Sequence, residues 1–455
     1  MQPVLSPLNQ WVQSSPSLLA LDTPKKRYTW AELEHEALMV AASLSQQGVQ
    51  SGDVVTCVGK NSPESVILLL ATLEIGAVCA FTMPQTESEL ETKLSTLYAS
   101  HQQRWIWSPE VSAERTLECA PSSAEQISRA YSSDAIATIV FTSGTTGIPK
   151  AVAHTSRQHL ASAQGLLARF RFQQGDTWLL SLPLYHVSGL AIIYRWLQSG
   201  ATLKVGSGDL HSDILTVTHA SLVAIQLKRL LEADIELTLT HVLLGGSHVP
   251  LALSSQAAKR GIDTWLGYGM TEAASTVTAK QIDEHYSAGS LLPNRKVKLE
   301  DGRIYVGGDT LALGYYRQGA VTPIAEHGWF DTKDLGTWVG GELKIIGRAD
   351  NLFISGGENI HCEEIEAILN AFAGVQQAIV IPVADEEFGF RPVAILDAKK
   401  LPDLNQIETY LKPRLTKFKW PIAYHLLPES LLGNGIKLSR KAVKDWFKEH
   451  QELIK

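Results

Sequence analysis

Cysteine is scarce in this sequence, and long apolar runs are missing from it. The four cysteines, Cys57, Cys79, Cys119 and Cys362, have neither the spacing of a metal site nor that of a disulfide framework. A reducing compartment is therefore expected, and we predict a cytoplasmic protein. No stretch approaches the roughly 18 unbroken apolar residues that a membrane span needs. The first residues also lack the basic and apolar segments of a secretory signal.

An excess of positive charge is missing as well, because 40 lysines and arginines are outnumbered by 47 aspartates and glutamates. The formal net charge of -7 argues against a general nucleic-acid-binding protein. The exception is the stretch from residue 412 to 455, which has ten basic and four acidic residues. This stretch is either an ordinary solvated helix face or a basic lip for a polyanionic substrate such as CoA.

The 455 residues are too many for one ordinary domain, and their pattern changes along the chain. Between about residues 54 and 269, strand-like runs alternate with helix-like segments, which predicts mostly parallel sheets covered by helices. After residue 290, short strand-like pieces separated by glycines predict a small antiparallel or barrel-like subregion. The predicted fold is α/β, with a large N-terminal domain at 1–349 and a small α+β C-terminal domain at 350–455.

The strongest local signal is the segment FTSGTTGIPK at residues 141–150, in which a strand leads into a loop that ends at Lys150. Backbone N–H groups freed by glycines, hydroxyl groups and one lysine suit a polyphosphate. The segment is not a Walker A loop, because only two residues separate its glycines and Ala151 follows the lysine. The candidate phosphate-binding residues are Thr142, Ser143, Gly144, Thr145, Thr146 and Gly147.

The order Thr-Ser-Gly-Thr-Thr-Gly-x-Pro-Lys resembles the phosphate loop of the adenylate-forming superfamily, which includes acyl-CoA synthetases, luciferases and the adenylation domains of peptide synthetases. The resemblance extends from about Thr29 to the C-terminus and rests on several separate motifs in the family's order. The resemblance implies an adenylate-forming ligase fold. It also implies that the chain joins a carboxylic acid to ATP, with Mg²⁺, and then passes the acyl group to CoA.

The resemblance implies that the segment YGMTE at residues 268–272 contacts the nucleotide. It implies that Tyr268 lies against adenine, that Thr271 meets a phosphate and that Glu272 holds Mg²⁺. An aromatic face, a hydroxyl donor and a hard carboxylate suit these tasks. Gly269 belongs to the same motif. The family's turn beside adenine matches Gly245, Gly246 and Ser247.

The resemblance also assigns the ribose, the hinge and a second catalytic lysine. It implies that Asp334 accepts from the ribose hydroxyls and that Arg348 contacts the ribose or a phosphate. Asp350 corresponds to the hinge about which the C-terminal domain rotates between the two half-reactions. Lys437, on the turn Gly-Asn-Gly-Ile-Lys, would join Lys150 in neutralising charge during adenylation.

The acid is expected to lie beside the segment SLPLYHVSGLAIIYRWLQSG, where His186 would stand at the wall of the acyl site as a third catalytic residue. Arg195 interrupts an apolar helix pattern and is either a snorkelling side chain or a counter-ion for a second carboxylate on the acid. The further residues assigned to the acid are Ser188, Ser221 and Gly267.

Several segments, among them YRWLQSG, HASLVAIQL and LLGGSHVP, resemble one branch of the superfamily, the o-succinylbenzoate:CoA ligases of menaquinone biosynthesis. Ala224-Ile225 departs from that branch, where a Pro-Thr pair is expected. The alternatives are another aryl- or acyl-CoA ligase, a stand-alone adenylation enzyme for a carrier protein, and a regulator on an inactive ligase fold. The expected partners are o-succinylbenzoate, ATP and CoA, with no nucleic acid or membrane span, and a homo-oligomer is possible.

Overall fold

The computed structural model describes residues 5–108, 117–118, 129–142, 149–233, 235–245, 249–355, 358–431 and 440–450. Several helices begin at strong capping residues: Thr29, Ser62, Thr86 and Thr155 each accept a hydrogen bond from the third residue of the helix that follows. The helices are α1 Pro7–Ser14, α2 Trp30–Gln46, α3 Pro63–Ile75, α4 Glu87–Leu97, α5 Ser156–Leu167, α6 Val187–Ser199, α7 Leu210–Asp213, α8 Ala224–Glu232, α9 Leu251–Lys259, α10 Cys362–Asn370, α11 Leu404–Leu411 and α12 Arg440–His450.

The largest sheet has nine strands among the described residues, in the order β14-β13-β12-β11-β10-β8-β9-β1-β2. Its centre, from β12 to β1, is parallel, and antiparallel neighbours cover both edges. The strands are β1 Leu19–Asp22, β2 Arg27–Thr29, β8 Thr177–Leu179, β9 Thr202–Lys204, β10 His219–Leu222, β11 His241–Leu244, β12 Asp263–Met270, β13 Ser275–Gln281 and β14 Ser290–Leu291.

A second sheet has the order β18-β17-β7-β6-β4-β3-β5. Strands β3 to β6 are parallel, whereas β7, β17 and β18 continue the sheet antiparallel. Its strands are β3 Val54–Val58, β4 Val78–Thr82, β5 Trp105–Trp107, β6 Ile136–Thr142, β7 Lys150–Thr155, β17 Gly314–Arg317 and β18 Ala320–Thr322. The prediction of mostly parallel sheets is confirmed for the sheet interiors.

Two smaller sheets follow along the chain. The first is antiparallel, as predicted for the region after residue 290, with strands β15 Arg295–Glu300, β16 Arg303–Gly308, β19 Trp329–Val339 and β20 Glu342–Arg348. The second belongs to the C-terminal region, where it packs with α10, α11 and α12. Its strands are β21 Leu352–Ser355, β22 Glu358–His361, β23 Val375–Asp385, β24 Gly389–Ala398 and β25 Ala423–Leu426.

The main core joins helices α2, α3, α5 and α6 to the two large sheets. Three tryptophans stack through it: the ring centroids of Trp11 and Trp30 are 6.0 Å apart, and those of Trp30 and Trp196 are 5.1 Å apart. Helix α3 is buried along almost its whole length, including Thr72 and Glu74, which interrupt its mostly apolar sequence. Within the described residues, no helix is both long and apolar enough to cross a membrane.

Candidate active site

A cleft of about 3240 Å³ opens beside the nine-stranded sheet and is lined by residues from both the N-terminal and the C-terminal regions. It brings together most of the residues that the sequence singles out. The predicted residues that line it are Thr142, Lys150, His186, Ser188, Arg195, Ser221, Gly245, Gly267, Tyr268, Gly269, Thr271, Glu272, Asp334, Arg348 and Asp350. The other predicted residues, Ser143, Gly144, Thr145, Thr146, Gly147, Gly246, Ser247 and Lys437, lie outside the described residues.

Parallel strands explain why residues so distant in sequence meet. Leu222, Leu244 and Leu266 pair across β10, β11 and β12 in one register, so the residues that follow them lie at the same carboxyl edge of the sheet. Such edges are the usual ligand sites of parallel α/β sheets. Gly245 and Gly267 come directly after two of these leucines, and both line the cleft.

The segment 268–272 differs in one respect from the expected loop after a strand. Tyr268 to Met270 still belong to β12, because β13 pairs with them antiparallel and extends the strand. A register shift occurs between Tyr268 and Gly269. A Cβ at Gly269 would lie 1.9 Å from the carbonyl oxygen of Ser275, so glycine is required there for steric reasons.

A chain of polar contacts joins the predicted adenine, ribose and hinge residues. The hydroxyl of Tyr268 donates to Oδ2 of Asp334 at 2.6 Å, and Nη1 of Arg348 donates to Oδ1 of Asp334 at 3.0 Å. Arg348 also reaches Oδ2 of Asp350 at 3.3 Å. Asp334 and Arg348 are direct partners in the register of β19 and β20, which explains their proximity. Burial is the main cause that raises the pKa of Tyr268, and the charge of the Asp334 carboxylate is the second. The phenol therefore stays protonated.

Glu272 is held by a residue that the sequence did not single out. The hydroxyl of Tyr315, on β17, donates to Oε1 of Glu272 at 3.1 Å. Nζ of Lys150 lies 4.7 Å from the centroid of the Tyr315 ring. The strand GYYR offers no local signal for this role, because Tyr315 reaches Glu272 only through the pairing of β17 with β7.

Arg195 is buried rather than snorkelling, with 2% of the residue exposed. Its Nη2 donates to Oγ1 of Thr276 at 3.3 Å, and its guanidinium carbon lies 5.3 Å from the centroid of the Trp178 ring. No carboxylate among the described residues forms an ion pair with it. Burial, assisted by the nearby Arg295, lowers the pKa of Arg195 to about 9, so the group remains charged at neutral pH.

Two further side chains that the sequence assigns to the acid site line the same cleft. The hydroxyl of Ser221, at the end of β10, is buried and has no hydrogen-bond partner among the described residues. His186 occupies the position before the first turn of α6, and burial followed by the charge of Lys93 lowers its pKa. A charged guanidinium, a free hydroxyl and a neutral imidazole suit an anionic oxygen ligand.

The candidate metal ligand can also be assessed from its surroundings. Among the described residues, no group of three histidine, cysteine or acidic side chains could enclose a metal ion. Glu272 lines the cleft and can offer a carboxylate oxygen there. This fits Mg²⁺, which commonly takes one or two carboxylates together with substrate phosphates and water.

A family model described as AMP-binding enzyme matches residues 8–316 of the chain. The chain belongs to the AMP-binding enzyme family. Among its relatives in this family is the 2-succinylbenzoate--CoA ligase of Haemophilus influenzae, which is 40% identical over 434 residues, covering 93% of this chain and 94% of the relative.

Two solved structures of family members match almost the whole chain. One is R195K E. coli MenE with bound OSB-AMS, which has a TM-score of 0.87 and 36% sequence identity and covers 98% of this chain and 99% of its own. The other is the o-succinylbenzoate coenzyme A synthetase of Bacillus subtilis in complex with ATP and magnesium ion. It has a TM-score of 0.83 and 28% identity and covers 92% of this chain and 95% of its own. The predicted adenylate-forming fold is confirmed.

Proposed function

We propose that this protein is a 2-succinylbenzoate–CoA ligase that works through an acyl-adenylate, in menaquinone biosynthesis. The observation that carries the choice of acid is Arg195, a buried guanidinium in the cleft with no carboxylate partner among the described residues. A buried charge is costly unless it is paired, so the site is suited to a ligand that brings its own carboxylate. The names of the relatives given above support the same acid.

The acid carries two carboxylates, which we assign to different ends of the cleft. Arg195 would hold the ring carboxylate through its planar fork, with the hydroxyl of Ser221 as a further donor. The succinyl carboxylate would then face the wall that contains His186 and Lys150. This arrangement leaves one carboxylate neutralised and the other free to react, which fixes the site of thioester formation.

ATP would occupy the part of the cleft lined by Tyr268, Asp334 and Arg348. We assign the adenine to the face of Tyr268 and the ribose hydroxyls to Asp334, which already accepts two hydrogen bonds in this region. Thr271 would donate to a phosphate. Mg²⁺, if held by Glu272 and the phosphates, would supply positive charge that offsets the repulsion between the acid and ATP.

In the first half-reaction, an oxygen of the succinyl carboxylate attacks the α-phosphorus of ATP, and the bond to pyrophosphate breaks. Lys150 and Lys437 would neutralise the charge that develops, while positioning contributes most of the remaining rate enhancement. In the second, the CoA sulfur attacks the acyl carbon, AMP leaves with the bond electrons, and the thiol proton is released.

We assign the two half-reactions to two arrangements of the domains 1–349 and 350–455. Asp350 would be the hinge, since it lies two residues after the end of β20 and its carboxylate already contacts Arg348. Rotation about this point would withdraw Lys437 and admit CoA. We further propose that the enzyme works in the cytoplasm, where ATP and CoA are available.

The decisive experiment is an acid screen with the purified chain. Pyrophosphate and AMP release, and CoA thioester formation, are measured with o-succinylbenzoate, with benzoate and with a 4-phenyl-4-oxobutanoate that lacks the ring carboxylate. The proposal expects the highest kcat/KM for o-succinylbenzoate and a strictly CoA-dependent thioester product. A higher kcat/KM for either monocarboxylate, or acyl transfer to a carrier protein in place of CoA, would overturn it.

A further inference from the structure

A second lysine stands near the phosphate end of the cleft and has no role in the assignments above. Lys93 lies on α4 and is half-buried. Its Nζ donates to Oγ1 of Thr82 at 2.9 Å and lies 5.3 Å from the centroid of the Phe141 ring. Both partners belong to the sheet that carries Thr142 and Lys150. The ammonium is therefore held against the sheet rather than extended into solvent.

Lys93 also lacks an acidic partner among the described residues. The nearest acidic side chain on its own helix is that of Glu89, one turn earlier. That carboxylate instead accepts from the backbone N–H and the hydroxyl of Thr86, at 3.1 and 2.8 Å, and completes the cap of α4. Burial lowers the pKa of Lys93 to about 8, against an opposing effect of Glu89, so the ammonium remains mostly charged at neutral pH.

The pairing of strands explains why this charge matters. β4 ends at Thr82 and β6 ends at Thr142, and the two strands are parallel, with Phe81 opposite Val140. Lys150 pairs with Thr142 at the start of β7. Two lysines from different elements thus converge on one edge of one sheet, and each ammonium lies over an aromatic ring, that of Phe141 or that of Tyr315.

We propose that Lys93 is a positioning residue that supplies a second positive charge for substrate phosphate groups bound at this sheet edge, beside the charge of Lys150. This inference rests on the proposed function, because that function brings ATP and CoA to the cleft. Met83 and Phe141 line the cleft, whereas Lys93 is not one of the lining residues and contacts the Phe141 ring. It therefore acts through its field and by holding Phe141, rather than as a catalytic group.

Binding of MgATP and of CoA to the purified protein tests the inference without any acid substrate. Calorimetric dissociation constants are compared for wild type, Lys93→Met, Lys93→Arg and Lys26→Met. We expect Lys93→Met to weaken the binding of one of the two ligands roughly tenfold, the order expected for the loss of one nearby charge near a protein surface, and Lys93→Arg to restore most of the affinity. Whichever ligand loses affinity identifies the source of the phosphate.

Lys26→Met is the matched control, because Lys26 is exposed and pairs with Glu36 at 3.0 Å on the surface. If the role of Lys93 is purely structural, Lys93→Met has a lower melting temperature and both dissociation constants are unchanged. That result would overturn the inference. Because no acid is needed, this outcome is independent of whether o-succinylbenzoate is the substrate.

If Lys93→Met does not fold, the inference is tested by the pH dependence of ligand affinity in wild type and in Lys93→Arg. The charged or titratable groups whose electrostatic effects couple to Lys93 among the described residues are Glu89 and His186. Neither group changes its charge between pH 7 and 9, because the pKa of each is lowered from its ordinary value. Affinity in wild type should fall as the pH rises through about 8, since Lys93 loses its proton there, while Lys93→Arg should stay flat. Parallel curves would contradict the proposal.

Discussion

Two buried arginines stand on either side of Thr276, and their surroundings are opposite in kind. Arg295 is 5% exposed and donates to the carbonyl oxygens of Thr276, Ala161, Pro293 and Ser162, and to the Ser162 hydroxyl. Arg195 is 2% exposed, and within the described part of the chain its guanidinium has one long hydrogen bond, to the hydroxyl of the same Thr276. One guanidinium is fully engaged by the protein, and the other is not.

The difference separates a structural charge from a binding charge. Arg295 ties α5 to β13 through backbone acceptors, and even the absence of a side chain at Gly165 is needed, since a Cβ there would lie 2.0 Å from its Nη1. Arg195 lines the cleft and retains donors for a ligand. Equal burial therefore says little about the role of a charged residue, whereas the number of its acceptors says a great deal.

The largest effect is expected from Arg295→Met. The substitution removes the five hydrogen bonds that this buried guanidinium donates, and it should lower the free energy of unfolding by about 3–5 kcal/mol. Denaturant unfolding of the purified variant measures this value. The KM for the acid should change no more than the KM for ATP. A stable Arg295→Met variant with a selective defect in acid binding would reverse the assignment of the two arginines.

Arg195→Ala should act on binding instead. Removing the partner of a desolvated carboxylate should cost about 2–5 kcal/mol of apparent affinity for o-succinylbenzoate, seen as a raised KM. The KM values for ATP and CoA should be nearly unchanged. The monocarboxylate without the ring carboxylate serves as the control acid, because it has nothing for Arg195 to hold. If Arg195→Ala uses the dicarboxylate as well as wild type does, the assignment is wrong.

Arg195→Lys should give an intermediate defect, since the charge is retained and the planar fork is lost. We expect a loss of about 1.5–3 kcal/mol in apparent affinity for the dicarboxylate, the range for hydrogen bonds to charged groups. Melting temperatures measured in parallel establish that the fold is intact. A variant indistinguishable from Arg195→Ala would mean that geometry, and not charge, decides recognition.

The smallest effect is expected from Thr276→Val, at the residue that contacts both arginines. The substitution removes the hydroxyl that contacts Arg195 and keeps the carbonyl that accepts from Arg295. We expect the affinity for o-succinylbenzoate to fall by about 1 kcal/mol, with a small change in stability. A loss of stability as large as that of Arg295→Met would show that the two arginines are not independent.

The fold could be predicted from the sequence mainly because its signals are local. The alternation of strands and helices between residues 54 and 269, the antiparallel region after residue 290 and the α+β C-terminal region each have a pattern within a short window, and α3, β4, β15 and α10 confirm them. Arg195 was identifiable for the same reason, as a charge that interrupts an apolar helix.

The surroundings of the site residues could not be predicted in this way. Three residues contact the site residues because strands from distant parts of the chain pair with each other: Trp178, Thr276 and Tyr315. The sequence around each of them has only the pattern of an ordinary strand. The extension of β12 through Met270 depends on pairing with β13 and has no local signal either. Whether Arg195 snorkels or is buried is likewise decided by neighbours that its helix does not contain.

The first strand of the nine-stranded sheet has a consequence for folding during synthesis. β1 lies beside β9, with Leu21 opposite Leu203, so β1 can pair with this neighbour only after about 180 further residues have been synthesised. Trp11 likewise donates its indole N–H to the carbonyl oxygen of Leu197. We therefore expect the segment with Trp11 and β1 to keep its apolar side chains unburied until then, and to bind chaperones during synthesis.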